Sequence, residues 1–145
     1  MFETVVIATD GSESARRAIR TALDIAEKFD ATVHALYVVD TDEIESSPAE
    51  IRDDVDDAIR GVGDDALGFV SREAGGEIVT AVQQGTPADE IIGYADRVDA
   101  DVIAMGTRGR HGEHAFLLGS VAEAVVRRSP IPVLTVRQLE EIDAT

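Results

Sequence analysis

The sequence has no cysteine and no apolar run long enough to cross a lipid bilayer. Without cysteine, the chain has no disulfide, no thiolate metal ligand and no thiol nucleophile. Neither a basic leader nor a cleavage signal precedes the first apolar run, so we expect a cytoplasmic protein with no membrane partner.

Positive charge is also scarce, because 13 Lys and Arg residues face 29 Asp and Glu residues and leave a formal charge of −16. Lys28 is the single lysine. Such a charge repels nucleic acid, so we expect no nucleic-acid partner. The carboxylates fit either an ordinary acidic protein or adaptation to high salt, in which dissolved ions screen the self-repulsion of the surface.

Two common phosphate-binding motifs are missing. The sequence contains neither a P-loop, with its lysine and Ser or Thr, nor the three-glycine dinucleotide motif after the first strand. No nucleophile, histidine and carboxylate suggest a catalytic set, and Lys28 ends the first predicted helix on the wrong side of the domain. These absences favour binding over turnover.

Short apolar runs alternate with helical patterns along the whole chain. The strands are predicted at residues 5–8, 33–39, 78–82, 101–105 and 131–136. The helices are predicted at residues 12–28, from 47 to a glycine pair at 75–76, from 86 onwards and at 120–128. This alternation predicts one α/β domain over residues 1–145, with a parallel sheet and helices on both of its faces.

Local signals predict how the helices begin and where one of them breaks. Ser12, Ser47 and Thr86 are predicted as cap residues, and Pro48 follows Ser47 at the first helical position. The glycines of the second helix each cost about 1 kcal/mol relative to alanine, so a break is predicted near Gly61.

A glycine-rich segment follows the fourth predicted strand. Gly106, Gly109 and the pair Gly119-Ser120 form the pattern G-x2-G-x9-G-S between that strand and a helix. Glycines let the backbone approach a phosphate, and the first N–H groups of a helix point at it. Asp10 ends the first strand, and ligands of parallel sheets bind at such carboxyl ends, so Asp10 and the glycines are predicted to meet.

With this spacing the chain resembles the universal stress protein family, and within it the subgroup that binds ATP. The resemblance covers essentially the whole chain, including Ala8–Ser12, Gly85–Ile91 and Ser129–Val136. It implies a Rossmann-like open sheet with strand order 3-2-1-4-5. It also implies that ATP, or AMP or ADP, binds at the carboxyl ends of strands one and four.

The resemblance assigns roles to particular residues. Asp10 is expected near the ribose and phosphates, where it could hold Mg²⁺ together with them, and the backbone of Val38 is expected to bracket the adenine. The remaining expected binding residues lie beside these or in the glycine-rich segment: Thr9, Met105, Gly106, Arg108, Gly109, Gly119, Ser120 and Val121.

Each of these assignments has an alternative. Ser120 and Glu123 also fit a simple capping box, and Asp10 could serve only the turn. Arg108 and Arg110 could neutralise the phosphates or lie in solvent.

The histidines also have alternatives. His111 and His114 have the spacing of a metal pair, but no third ligand is apparent. His34 is predicted to be a packed residue of strand two and not a catalyst.

Three functions remain open. The first is a stress or regulatory protein that senses bound ATP, the second a slow Mg²⁺-dependent ATPase that uses Asp10, and the third a nucleotide-free scaffold.

Strand 131–136 is predicted at a sheet edge, where it would pair antiparallel with a second copy and bury Val133, Leu134 and Val136. The alternative is a monomer whose acidic tail after Arg137 covers that edge.

Overall fold

The structure, a computed structural model, describes residues 2–107 and 119–138. The strands are β1 (Thr4–Ala8), β2 (Thr32–Asp40), β3 (Val79–Gly85), β4 (Val102–Gly106) and β5 (Val133–Val136). They form one parallel sheet of order β3-β2-β1-β4-β5, as predicted. The helices are α1 (Arg16–Phe29), α2 (Thr41–Glu45), α3 (Arg52–Ala74), α4 (Pro87–Arg97) and α5 (Ser120–Arg128). None of the helices in these described ranges is long and apolar enough to cross a membrane.

The sheet separates two apolar clusters, because successive side chains of a strand point to opposite faces. On one face Val5 and Ile7 of β1 pack with residues of α1 and α3. On the other face Val6 packs with Ile91 of α4 and Val125 of α5. Both faces are therefore covered, which is why β1 and β4 read as continuous apolar runs.

Helix α3 runs unbroken for 23 residues, so the predicted break near Gly61 is wrong. A Cβ atom on Gly63 would lie 2.4 Å from the ring of Tyr37, whose hydroxyl donates to the carbonyl of Ile59 at 2.9 Å. The glycine therefore makes room for a buried aromatic ring. Gly75, at φ +67°, ends the helix as predicted.

The predicted side-chain caps are not formed. Ser12 and Thr86 hold the N-cap positions of a short 3₁₀ turn (Glu13–Ala15) and of α4, and neither side chain makes a capping bond. The hydroxyl of Ser47 donates backwards to the carbonyl of Glu43 at 3.0 Å. A second 3₁₀ turn at Ala49–Ile51 separates it from α3.

The amino ends of β1 and β4 are tied together by Asp101. Its carboxylate accepts the N–H groups of Glu3 at 2.7 Å and Thr4 at 3.0 Å. These hydrogen bonds hold the pKa of Asp101 below its usual value, because they stabilise the charged form. The tie fixes the register of the two strands whose opposite ends form the candidate site.

Candidate functional site

A cavity of about 190 Å³ opens at the carboxyl ends of β1 and β4. Since β2 and β4 lie on opposite sides of β1, this is the point where the strand order reverses and where open α/β sheets leave a crevice. Eight residues predicted to bind the ligand line it: Thr9, Asp10, Val38, Met105, Gly106, Gly119, Ser120 and Val121. The structure thus brings together segments that are up to 112 residues apart, from Thr9 to Val121.

The other predicted residues of the glycine-rich segment lie outside the described residues. These are Arg108 and Gly109, together with Arg110 and the two histidines with the spacing of a metal pair, His111 and His114. The segment's two ends are joined, because the N–H of Gly119 donates to the carbonyl of Thr107 at 2.6 Å.

The turn after β1 explains how Asp10 reaches the cavity. The N–H of Ser12 donates to Oδ1 of Asp10 at 2.9 Å, and the N–H of Gly11 donates to Oγ1 of Thr9 at 3.2 Å. Gly11 takes φ +82°, which glycine adopts without strain. Asp10 therefore both forms the turn and lines the cavity. Its Oδ2 has no hydrogen-bond partner in the described part of the chain.

The backbone N–H and C=O of Val38 lie beyond the end of β1 and, within the described ranges, have no strand to pair with on that side. The N–H of Thr9 donates to the carbonyl of Leu36 at 3.0 Å, so Leu36 directs its backbone groups towards β1. Backbone groups alternate sides along a strand, so Val38 directs its N–H and C=O to the same side as Leu36. Because β1 ends at Ala8, these groups face the cavity with no strand beside them.

Gly106 has a packing role that sequence reasoning did not assign to it. A Cβ atom there would lie 2.8 Å from the carbonyl oxygen of Ser14, so only glycine lets β4 end against the turn before α1. Gly119 differs, since its φ of −62° and ψ of 159° suit any residue. The backbone conformation therefore does not explain glycine at position 119.

Helix α5 begins at the wall of the cavity. Gly119 is its N-cap and Ser120 its first helical residue, so the capping-box alternative for Ser120 is wrong. The residues of the first turn, Ser120 to Ala122, line the cavity. The N–H groups of a helix's first turn have no partner within the helix and attract an anion.

Carboxylates dominate the charge of the cavity wall. Asp40 and Glu43 line it beside Asp10, and none of the described lining residues is a cation. The side chain of Asp40 accepts the N–H of Asp42 at 3.0 Å and so caps α2, which carries Glu43. No three potential metal ligands converge within the described ranges.

Sequence reasoning missed Asp40, Glu43 and the whole of α2. The signal was an aspartate at the end of a strand followed by Thr41-Asp-Glu, which is typical of a helix start.

His34 lies outside the cavity. Its Nδ1 is 2.8 Å from the hydroxyl of Tyr94 on α4, and the two rings make an edge-on contact. Burial lowers the pKa of His34, because the charged imidazolium loses hydration there. It is the packed residue that the sequence predicts.

Comparison with known sequences finds one family. A model of the universal stress protein family matches residues 1–137. Universal stress protein MJ0531 of Methanocaldococcus jannaschii is 39% identical over 142 residues, covering 95% of this chain and 84% of that protein. A putative universal stress protein of Staphylococcus saprophyticus is 37% identical over 145 residues, covering 96% of this chain and 86% of its own length.

Solved structures agree with the fold. Hypothetical protein MJ0577 has a TM-score of 0.83 at 27% identity, covering 97% of this chain and 99% of that one. UspA from Lactobacillus plantarum has a TM-score of 0.79 at 27% identity, with 94% and 98% covered. A universal stress protein in complex with cAMP has a TM-score of 0.69 at 29% identity, with 94% and 97% covered.

Proposed function

Because the chain belongs to the universal stress protein family, we propose that it is a cytoplasmic stress-response protein that binds ATP, or AMP or ADP, in the cavity between β1 and β4. The observation that carries the proposal is the convergence of the predicted binding residues on one cavity. The similar universal stress protein that was crystallised with cAMP supports an adenine nucleotide as the ligand class.

The adenine is proposed to lie against β2. The N–H and C=O of Val38 offer one donor and one acceptor, which match the edge of an adenine ring. Leu36, Pro87 and Ile91 line the same cavity and supply apolar surface for the flat base. These contacts suit a purine and leave its ribose directed towards Asp10.

The phosphates are proposed to lie at the first turn of α5. The N–H groups that follow Gly119 supply partial positive charge, and the hydroxyl of Ser120 supplies a further donor. Arg108 and Arg110, which lie outside the described residues, are proposed to add positive charge. This end needs it, since the described wall carries the carboxylates of Asp10, Asp40 and Glu43.

Asp10 would hold a Mg²⁺ ion only together with the phosphates. The unpartnered Oδ2 of Asp10 is an oxygen ligand of the kind Mg²⁺ prefers. The described residues offer no cluster of three ligands, so the remaining ligands would be phosphate oxygens and water. When bound, the metal would neutralise phosphate charge beside an acidic wall.

Sensing of ATP is favoured over its turnover. No lysine or histidine lines the described part of the cavity to act as a base or to neutralise a leaving phosphate. The carboxylate of Asp10 is the observation that favours the second candidate, a slow Mg²⁺-dependent ATPase. Phosphate release that requires Mg²⁺ and disappears in Asp10→Ala would establish the enzyme.

The test of the site is Asp10→Asn. The amide keeps an acceptor for the N–H of Ser12, so the turn survives while the negative charge is lost. Calorimetric titration should show Mg·ATP bound about tenfold more weakly, because a hydrogen bond or metal contact to a charged group is worth about 1.5–3 kcal/mol. Adenosine affinity should change little.

Asp57→Asn is the matched control, because Asp57 is an exposed carboxylate of α3 outside the cavity. It should leave both ligands unaffected. An equal loss of Mg·ATP and adenosine affinity in Asp10→Asn would instead assign Asp10 to the turn alone.

The assembly is proposed to be a homodimer joined antiparallel through β5. This strand begins at Val133, two residues later than predicted, and lies at the sheet edge as predicted. Val136 is already buried within the single chain, with 8% of its surface exposed. A partner would therefore bury mainly Val133 and Leu134.

After β5, the described end of the chain runs against α1. Arg17 on α1 donates to the carbonyl of Arg137 at 2.8 Å and, through its N–H, to Oε1 of Gln138 at 3.1 Å. Residues 137–138 therefore contact α1. The acidic tail that would cover the edge in the monomer alternative, residues 139–145, lies outside the described residues.

A further inference from the structure

We propose a second ligand site, in a cavity of about 290 Å³ between α1 and α3, for a small organic anion with an aromatic or apolar body. This cavity, called here the α1–α3 cavity, is lined among others by Ser12, Arg16, Val62, Asp65, Phe69 and Arg72. The proposal does not depend on nucleotide binding at the first cavity.

The α1–α3 cavity is richer in positive charge than the chain as a whole. Two arginines and one aspartate line it, with Glu13 paired to one of the arginines from outside the lining, in a protein of formal charge −16. Arg72 makes no ion pair or hydrogen bond within the described ranges, although the chain has 29 carboxylates. Arg16 forms one long ion pair, with Glu13 at 4.0 Å, through a single nitrogen of its guanidinium. Both guanidinium groups therefore keep donors for an anion.

An aromatic ring forms part of the wall and positions an arginine. The guanidinium of Arg16 lies 5.1 Å from the ring centre of Phe69, and that of Arg20 lies 5.7 Å away. Cation–π attraction holds Arg16 over the ring, while Arg20 is also paired with Glu73 at 2.7 Å. Val62 and Ile19 extend the apolar wall. A flat apolar body would contact this wall while its charged end meets the arginines.

Ser12 adds a polar group whose hydrogen bonding is incomplete. Its hydroxyl oxygen is buried and has no partner among the described residues. Buried hydroxyl groups are nearly always hydrogen-bonded, because an unmet one costs about 1–3 kcal/mol. Because this oxygen has almost no exposed surface of its own, it would meet an oxygen of a bound anion only after a small shift of the turn.

One turn separates the two cavities. Thr9 lines both, Asp10 lines the first, and Gly11 and Ser12 line the second. Ligands in the two cavities would therefore contact different residues of the same turn. Chemical shifts of the backbone amides, measured by nuclear magnetic resonance, distinguish the two binding sites.

The experiment titrates phenyl phosphate, which has one flat apolar body and one anionic group, into ¹⁵N-labelled protein. We expect saturable shifts at Gly11, Ser12 and the α3 residues near Phe69. Arg72→Gln should weaken the affinity about tenfold, which is the effect of losing one charged hydrogen bond.

Arg60→Gln is the control, because Arg60 lies on the same helix but is held outside the cavity by Asp56 at 3.0 Å and Gln84 at 2.7 Å. It removes the same charge and should leave the affinity unchanged. Gly119→Val, aimed at the first cavity, should also leave it unchanged. Unsaturable shifts, equal losses in Arg72→Gln and Arg60→Gln, or shifts confined to Val38 and Gly119 would overturn the proposal.

Discussion

Gly63 lies where α3 crosses the buried ring of Tyr37, and it shows how one residue fixes the distance between a helix and the sheet. A methyl group there would approach the ring to 2.4 Å, closer than any real contact. Gly63→Ala should therefore destabilise the protein by about 1–3 kcal/mol, the usual cost of overpacking a core. Urea unfolding measures the change.

Gly61→Ala supplies the matched variant on the same helix. A Cβ atom at Gly61 would meet nothing within 4 Å, and the residue is exposed. This change should stabilise the protein by about 1 kcal/mol, because alanine favours a helix over glycine. If both variants lose stability equally, the packing role given to Gly63 is wrong.

At the residue scale, the sequence predicted which residues line the cavity. It was less informative about the structural reason for each residue. The position of Asp10 follows from where its strand ends, which is visible in the sequence, whereas Val38 was assigned only through the family resemblance. The packing of Gly106 on Ser14, and of Gly63 on Tyr37, depends on contacts between distant segments. Those contacts leave no local signal, so Gly106 was interpreted only as a ligand-binding residue and Gly63 only as a weak point.

At the scale of elements, β5 offers the most direct test of assembly. The N–H of Ile103 donates to the carbonyl of Pro132, and the N–H of Thr107 donates to the carbonyl of Val136. The backbone groups of Pro132 and Val136 therefore point towards β4. Since backbone groups alternate sides, the N–H of Thr135 points away from β4, to the edge where the proposed partner strand would pair. Thr135→Pro should therefore leave the sheet intact and shift the dimer towards monomer, as measured by light scattering at tens of micromolar in high salt.

The opposite edge provides the control for that prediction. Tyr37 pairs with Val82 in the β2–β3 ladder, and by the same alternation the N–H of Val82 points outward from β3. Val82→Pro should leave the dimer intact. A monomeric wild-type protein, or dissociation by Val82→Pro alone, would contradict pairing through β5.

The elements themselves were predicted well where apolar periodicity is strong. All five strands and the four long helices lie where the pattern places them, with ends that differ by up to a few residues. The short helix α2 was missed because five residues carry too little periodicity, although Asp40 signals its start. The side-chain caps were predicted from residue type alone, whereas the hydroxyl of Ser47 donates to the carbonyl of Glu43 and that of Ser12 has no partner among the described residues.

At the scale of the whole molecule, the formal charge of −16 predicts a dependence of stability on salt. The distance over which charges repel falls from about 10 Å at 0.1 M salt to about 3 Å at 1 M. If the carboxylate surface is an adaptation to high salt, the melting temperature should rise as sodium chloride increases over this range.

An uncharged osmolyte at equal osmolality is the control, since it does not screen charge. It should raise the melting temperature less than sodium chloride does. A melting temperature that is independent of salt up to molar concentration would leave the acidic composition as ordinary surface charge.

The central claim is that the cavity between β1 and β4 holds the phosphates of ATP at the first turn of α5. Its most direct test is calorimetric titration of Mg·ATP into wild-type protein and Gly119→Val, with Gly61→Ala as a glycine control outside the cavity. The backbone at Gly119 accepts any residue, so helicity and cooperative unfolding should persist in Gly119→Val. We predict saturable binding to wild-type protein and Gly61→Ala, and none to folded Gly119→Val. Near-native affinity in Gly119→Val would contradict this placement of the phosphates.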